Sequence, residues 1–225
     1  RAHHIFFQNQ ENYQYMRKHR LFKGSSSIVR GSGVNLDEFK VESFPKNDYS
    51  SFVFVGRIMK AKGINSYLRL ANTIKEVYPE TEFHVVGAME ENYRSLIEEM
   101  HSNGTIIYHG SVQDVRPIYR KIQAIIHPTL YHEGISNVLL EAAATGRAII
   151  SSNIIGCKDT FIETESGIGF NPNDLNDMMN SVIKFIQLPL EKKEHMGLKG
   201  RDYVEKHFDR HDIIQNYITT IEEVI

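Results

Sequence analysis

The chain has 225 residues, 41% of them hydrophobic, with 26 basic and 28 acidic side chains and a formal charge of −2. That length allows one large domain, or one domain with a fragment of another, and that apolar content excludes a disordered chain. The near-balanced charge excludes a general attraction for nucleic acid or an anionic membrane, and no apolar run approaches the ~20 residues of a membrane-spanning helix.

Residues 4–7 read as a short strand, followed by a polar helix around 12–19 and a second strand at 27–30. Gly31-Ser32-Gly33-Val34 and a polar loop through Lys46 come next. From residue 51 onward, short apolar runs alternate with helical stripes. Strands are predicted at 52–56, 83–87, 106–108, 124–127 and 148–151, several of them rich in β-branched residues. Helices are predicted between them at 64–78, 92–101, 112–121 and 136–145, with Gly, Pro or Asn at most joints. This alternation predicts an α/β fold, a Rossmann-like parallel sheet with helices on both faces.

Three helices are expected to close the chain. Over 175–186, Leu175, Met178, Met179, Val182, Ile183 and Ile186 fall on one face of an amphipathic helix, and the methionine pair reads as core. Helices over 192–207 and 211–225 follow, and the charges of 191–193 are expected on a solvated face. Residues 1–50 read as the tail of a preceding domain and a linker, and 51–225 as a complete domain. The start at Arg1, with neither Met nor signal peptide, reads as the cut end of a longer protein. Cys157 is the sole cysteine, which excludes an intrachain disulfide and fits a reducing, cytoplasmic compartment.

Ligands of open parallel sheets sit at the carboxyl ends of the strands, where helix N-termini point. Three places fit. The stretch Glu133-Gly134-Ile135-Ser136-Asn137-Val138-Leu139-Leu140-Glu141 follows the strand ending at His127-Pro128. Gly134 permits a close backbone approach, Ser136 or Asn137 can cap the next helix, and the free N–H groups of its first turn make an anion site. Glu133 and Glu141 bracket that site, and carboxylates suit neutral hydroxyls better than phosphate. Phosphate flanked by polyols describes a nucleotide sugar. Two solvated carboxylates, one in a loop and one on a helix, are the other reading these residues allow. In the second place, Gly56–Gly63, Arg57 and Lys62 can converge on a diphosphate. The third is His109-Gly110-Ser111-Val112, where the glycine lets a base approach the backbone. His132 reads as an ordinary loop histidine and Cys157 as an inert thiol, and His3, His4, His19, His101 and His195 share no metal-ligand spacing. Gly31-Ser32-Gly33 lacks the third glycine of a dinucleotide fingerprint.

Together these motifs resemble the C-terminal, donor-binding domain of retaining glycosyltransferases of the GT-B fold, in group 1 or family 4. The resemblance runs from about Phe6 to the C-terminus. It is most specific from Glu133-Gly134 through Glu141-Ala142-Ala143-Ala144-Thr145-Gly146, which is similar to the family's Glu-x7-Glu motif. Phe54-Val55-Gly56-Arg57, Lys62-Gly63, Tyr108-His109-Gly110 and Gly156-Cys157-Lys158-Asp159 match in order, and Gly31–Val34 resembles the family's interdomain link. Two departures are Pro128-Thr129 where Pro-Ser is common, and Ser166–Phe170 in place of an Asn-Gly-Phe loop.

The resemblance implies a hexosyltransferase in surface polysaccharide or glycoconjugate synthesis. It implies that Arg57 and Lys62 hold the donor diphosphate, Glu133 the hexose and Glu141 the ribose. Backbone of Ser136, Asn137 and Val138 would meet phosphate and ribose, and backbone of Val112 the base. Gly56, His109, Gly110, Gly134 and Ile135 would complete the donor site, with Glu133, Arg57 and Lys62 as its catalytic set. It further implies a UDP-sugar in preference to a GDP-sugar, no cofactor and no metal. The acceptor, a saccharide or lipid-linked saccharide, would be held by an N-terminal domain mostly absent here, so the isolated piece is expected to be inactive. A cytoplasmic enzyme, with peripheral contact at the inner membrane face, is expected. The alternative is a non-catalytic nucleotide-sugar-binding module of the same fold.

Overall fold

The computed structural model describes residues 3–90 and 92–224. Arg1, read above as a cut end, and Ile225, the last residue of the final predicted helix, lie outside the described residues. A small first unit comprises β1 (His4–Phe7), α1 (Gln10–Lys18) and β2 (Ser25–Ile28), the two strands pairing in parallel from His4↔Ser25 to Phe7↔Ile28. The main sheet contains β3 (Ser51–Val55), β4 (Glu82–Val86), β5 (Ile107–Tyr108), β6 (Ala124–His127), β7 (Ala148–Ser152) and β8 (Gly167–Phe170). All its pairings are parallel and its order is β5-β4-β3-β6-β7-β8. The chain builds outward from β3 in one direction, then returns to build outward from β6 in the other. The switch point therefore lies between β3 and β6, where open sheets of this kind part their loops and bind ligands.

Helices α2 (Ile64–Val77), α3 (Arg94–Ser102), α4 (Arg116–Tyr119), α5 (Asn137–Ala144), α6 (Leu175–Ile186), α7 (Leu190–His207) and α8 (Arg210–Val224) complete the domain. The two-residue period of the strands sorts their side chains into two layers. Phe52, Phe54, Ile126 and Ile150 point into one core with Ile64 and Leu68 of α2, Ile97 of α3 and Val182 of α6. Val53, Ile125 and Ile149 point into the other with Leu139 and Leu140 of α5 and Val204 of α7. The α/β parallel sheet covered on both faces is the one expected. No described helix is long and apolar enough to cross a membrane.

Three expectations change. The segment expected as a loop at 166–170 contains the edge strand β8, paired with β7 from Ile149↔Gly167 to Ser152↔Phe170. Only four residues of the helix predicted at 112–121 are helical. Pro117 belongs to the first turn of a helix, and the Asp114 carboxylate takes the Arg116 N–H at 3.0 Å, so the helix starts late. Lys193 is not solvated: it is buried, its Nζ donates to Ser50 Oγ at 2.8 Å, and it lies 5.4 Å from the Phe185 ring centre. Met178 is core, as read.

Residues 34–45 are held to the domain by buried donors. Val34 N–H donates to Phe208 O at 2.9 Å, and Arg210 N–H returns a bond to Val34 O at 3.1 Å. The fully buried Arg147 donates to Glu42 O (3.1 Å) and Ser43 O (2.9 Å), with its guanidinium 5.5 Å from the Phe44 ring centre. Burial pushes its pKa down to about 10, which leaves it charged at neutral pH. Arg201 bridges Phe39 O and Ala144 O at 2.9 and 3.0 Å. Replacing Arg147 by Ala leaves two carbonyls without their charged donor and opens a void. Arg147→Ala is expected to cost roughly 3 kcal/mol in urea unfolding, with faster proteolysis within 39–45 than elsewhere in the domain.

Candidate functional site

The site is built from loops at the switch point. After β3 the chain passes a short 3-10 turn, Lys60–Lys62, which ends at Gly63 with φ +80°. A Cβ at Gly63 would lie 1.8 Å from Pro128 O, so only a glycine lets these two loops meet at this spacing. Leu130 N–H donates to Ala61 O at 2.9 Å across the same contact. The result is an ion pair between Lys62 Nζ and Glu133 Oε1, residues 71 apart in sequence, with side chains only 16% and 15% exposed. His127, the last residue of β6, brings Nε2 to within 3.6 Å of the same carboxylate oxygen and 3.3 Å of Ser136 Oγ. Its Nδ1 is buried without a partner. Burial alone would raise the Glu133 pKa, but His127 and Lys62 outweigh it and hold the carboxyl at about 2. Cys157 lies nearby, and burial, reinforced by the Glu133 charge, pushes its thiol up to about 12. It is the inert thiol expected.

Beside this pair opens a cleft of about 440 Å³ whose lining includes Gly56, Arg57, Val112, Arg116 and Glu141. Glu141 lies on α5, and burial pushes its pKa up to about 7, against a pull downward from Arg210. Arg57 pairs through Nη1 with Glu90 Oε2 at 3.1 Å, both side chains well exposed. Such a pair is cheaply broken. The two glutamates of the motif thus sit in opposite environments, one held ionised beside Lys62 and His127, the other half-buried with its pKa raised toward neutrality.

The remaining predicted residues divide. Ile135 is buried, and Gly134 O accepts from Asn9 Nδ2 at 3.0 Å. The expected side-chain cap of α5 is not made: Ser136 occupies the cap position but turns its Oγ to His127, and Asn137 Oδ1 accepts from Ser32 Oγ at 3.2 Å. The first turn of α5 therefore keeps N–H groups with no intrahelical acceptor and no side-chain cap. Val138 O accepts from Tyr119 OH at 3.3 Å. The His109 ring turns toward His84, its Nε2 2.8 Å from His84 Nδ1, and Gly110 O accepts from Gly87 N–H at 2.9 Å. These two shape the β4–β5 end, while Val112 lines the cleft. Among the described residues no group of three metal-ligating side chains converges. His127 was missed in the sequence; its signal was a polar residue ending an otherwise apolar strand directly before Pro128. The cleft residues Glu38, Phe39, Asp114 and Arg116 gave no signal, because Glu38 and Phe39 reach Arg116 from 77 or more positions away in the chain.

Sheet order and switch-point loops define a Rossmann-like domain of the doubly wound class. Residues 36–203 match the family Glycosyl transferases group 1, and the chain belongs to that family. It is 26% identical over its whole length to an N,N'-diacetylbacillosaminyl-diphospho-undecaprenol alpha-1,3-N-acetylgalactosaminyltransferase of Campylobacter jejuni, of which it spans 61%. All of the chain superposes on 59% of a sucrose-phosphate synthase of Thermosynechococcus elongatus, with TM-score 0.85 and 20% identity. HepE of Anabaena, solved with UDP and glucose, matches 99% of the chain and 64% of its own, with TM-score 0.82 and 14% identity.

The opposite carboxyls give opposite pH signatures. Glu133 folds with its pKa below the ordinary 4.5, so its stabilisation is complete above that pH and is lost as pH falls toward 2. Glu141 folds with a raised pKa, so its contribution is complete below pH 4.5 and is lost as pH rises to about 7. Glu133→Gln is expected to destabilise by roughly 2–3 kcal/mol at pH 7, with the difference fading in acid. Glu141→Gln should be near neutral at pH 4.5 and stabilising by roughly 2 kcal/mol at pH 8. Denaturant unfolding across pH checks both; parallel profiles for the two variants would contradict the assigned environments.

Proposed function

We propose that this chain is the donor-binding part of a retaining hexosyltransferase that uses a nucleotide sugar, with UDP favoured over GDP. The observation that carries this reading is the layout around α5. An uncapped helix N-terminus lies between a carboxylate locked to Lys62 and a second carboxyl facing the neighbouring cleft. The helix start and Arg57 suit a diphosphate. Glu141, whose pKa burial raises to about 7, can both donate to and accept from ribose hydroxyls. Glu133, fully ionised, accepts from hexose hydroxyls, and Lys62 neutralises it so that phosphate is not repelled. Base and ribose occupy the cleft, with Val112 at its wall. The positive groups stabilise the departing diphosphate while the acceptor attacks from the same face, which retains anomeric configuration.

Residues 51–225 form the donor domain, and 1–50 the tail of an acceptor-binding domain and the link to it. The acceptor is a saccharide on a lipid diphosphate carrier, the class named for the Campylobacter relative, met at the inner face of the membrane. Without the acceptor domain the piece binds donor and does not transfer.

The two glutamates are expected to differ in ligand dependence. Calorimetric titration with UDP and with UDP-glucose should show Glu141→Gln weakening both by roughly 1–2 kcal/mol. Glu133→Gln should weaken only the sugar nucleotide and leave UDP unchanged or slightly tighter, because Lys62 is freed for phosphate. Equal losses on both ligands in both variants would remove the hexose and ribose assignments. A thermal-shift screen with UDP, GDP and ADP decides the base: saturation at 100 times Kd should stabilise by about 2.7 kcal/mol.

A further inference from the structure

The loop that carries Glu133 is held from one side by the first unit. Asn9 follows β1, is 5% exposed, and uses both ends of its amide. Its Oδ1 accepts from Asn12 N–H at 2.8 Å and caps α1. Its Nδ2 donates to Gly134 O at 3.0 Å, 125 residues away. Gln8 fills the space next to it, since a Cβ on Gly134 would fall 1.6 Å from Gln8 Oε1. On the other side, Ser136 N–H donates to Gly156 O at 2.9 Å, and a Cβ on Gly156 would lie 2.4 Å from Glu133 O. The Glu133–Ser136 backbone is thus gripped between Gln8-Asn9 and Gly156. A cavity of about 180 Å³ lies beside the contact, lined by Asn9, Ile135, Asp159 and Tyr203 among others. Ile135 packs into the core, and on the cavity side the Asn9 amide is the polar contact to the loop backbone.

From this we infer that Asn9 is a positioning residue for Glu133: its amide ties the end of β1 to the Gly134 carbonyl and so fixes the carboxylate against Lys62 and His127. The geometry is specific to an amide. An aspartate keeps the α1 cap but offers no donor to Gly134 O, and places like charge there instead. A serine also keeps a cap and is too short to span both partners. The inference concerns sugar selection only insofar as Glu133 reads the hexose, the reading proposed above; the loop effect itself does not depend on that reading.

The test compares Asn9→Asp with the unmodified chain. Amide hydrogen exchange should quicken about tenfold or more for Gly134–Ser136, with α1 amides unchanged, since loss of one charged or amide hydrogen bond is worth about that factor. The Glu133 carboxyl, followed by carbon NMR, should titrate higher than in the unmodified chain, because it is no longer held against Lys62 and His127. Affinity for UDP-glucose should fall toward that for UDP, with UDP affinity unchanged. Asn9→Ser provides the same readouts if the Asp variant does not fold. Unchanged exchange at Gly134–Ser136 together with an unchanged Glu133 titration means Asn9 only caps α1, and overturns the inference. If the loop and Glu133 respond but the unmodified chain does not distinguish UDP-glucose from UDP, the positioning role stands and the hexose assignment of Glu133 fails instead.

Discussion

The backbone of Gly63 rests against the carbonyl of Pro128, and the chemistry of the carboxyl edge depends on that contact. It joins the loop after β3 to the loop after β6 across the one place in the sheet where neighbouring strands lead their helices in opposite directions. No side chain intervenes, so Lys62 is carried onto Glu133 at a depth where water is largely excluded. Removing two charges from water is expensive, and a pair of this kind persists only when further polar partners share the burden. His127 supplies one, poised between Glu133 and Ser136. The pair is therefore better understood as a way of fixing a carboxylate in space than as a source of stability.

Fixing one carboxylate gives meaning to the freedom of the other. Glu133 and Glu141 stand eight positions apart in one motif, yet the first is held at about 2 and the second raised to about 7. The difference comes from partners. Both are half-buried, but Glu133 has Lys62 and His127 within reach, whereas Glu141 has only the weaker pull of Arg210 to offset desolvation. Environments that separate the proton affinities of two like groups give them different chemical jobs. Glu133 can then only accept hydrogen bonds, whereas Glu141 can accept or donate them.

Much of this was legible in the sequence. The alternation of apolar runs fixes the strands because each inner position feeds one of two cores, as Phe52, Val53 and Phe54 do in turn. Gly56, Arg57, Lys62 and Glu133 stand in loops that follow strands, and Glu141 a turn into the helix after them, which a pattern of periods and breakers reveals. The misses have a common cause. Gly167 and Gly169 give β8 no strand signature, yet Gly167 suits the close approach of the Phe161 ring. Lys193 looked solvated until Ser50, 143 residues earlier, received its ammonium. His127 and Asn9 acquire their roles only from partners distant in sequence. Periodicity reports a residue's face, not the atom that will stand opposite it.

The same distinction separates the two ways in which the first fifty residues attach. Residues 34–45 are bound to the rest by the buried Arg147 and the half-buried Arg201, whose guanidinium groups donate to backbone carbonyls, contacts that are costly to break because the donors are largely desolvated. The first unit is attached through the Asn9 amide, a Glu11–Lys158 pair with side chains 35% and 41% exposed, and the Phe6–Tyr217 ring contact. Exposed pairs of that kind contribute little and yield to water. The weaker seam therefore runs between the first unit and the rest, and on that seam Gln8 and the buried Asn9 amide reach the Glu133 loop. The seam and the carboxylate are close in the chain, because Gly134, whose carbonyl Asn9 holds, directly follows Glu133.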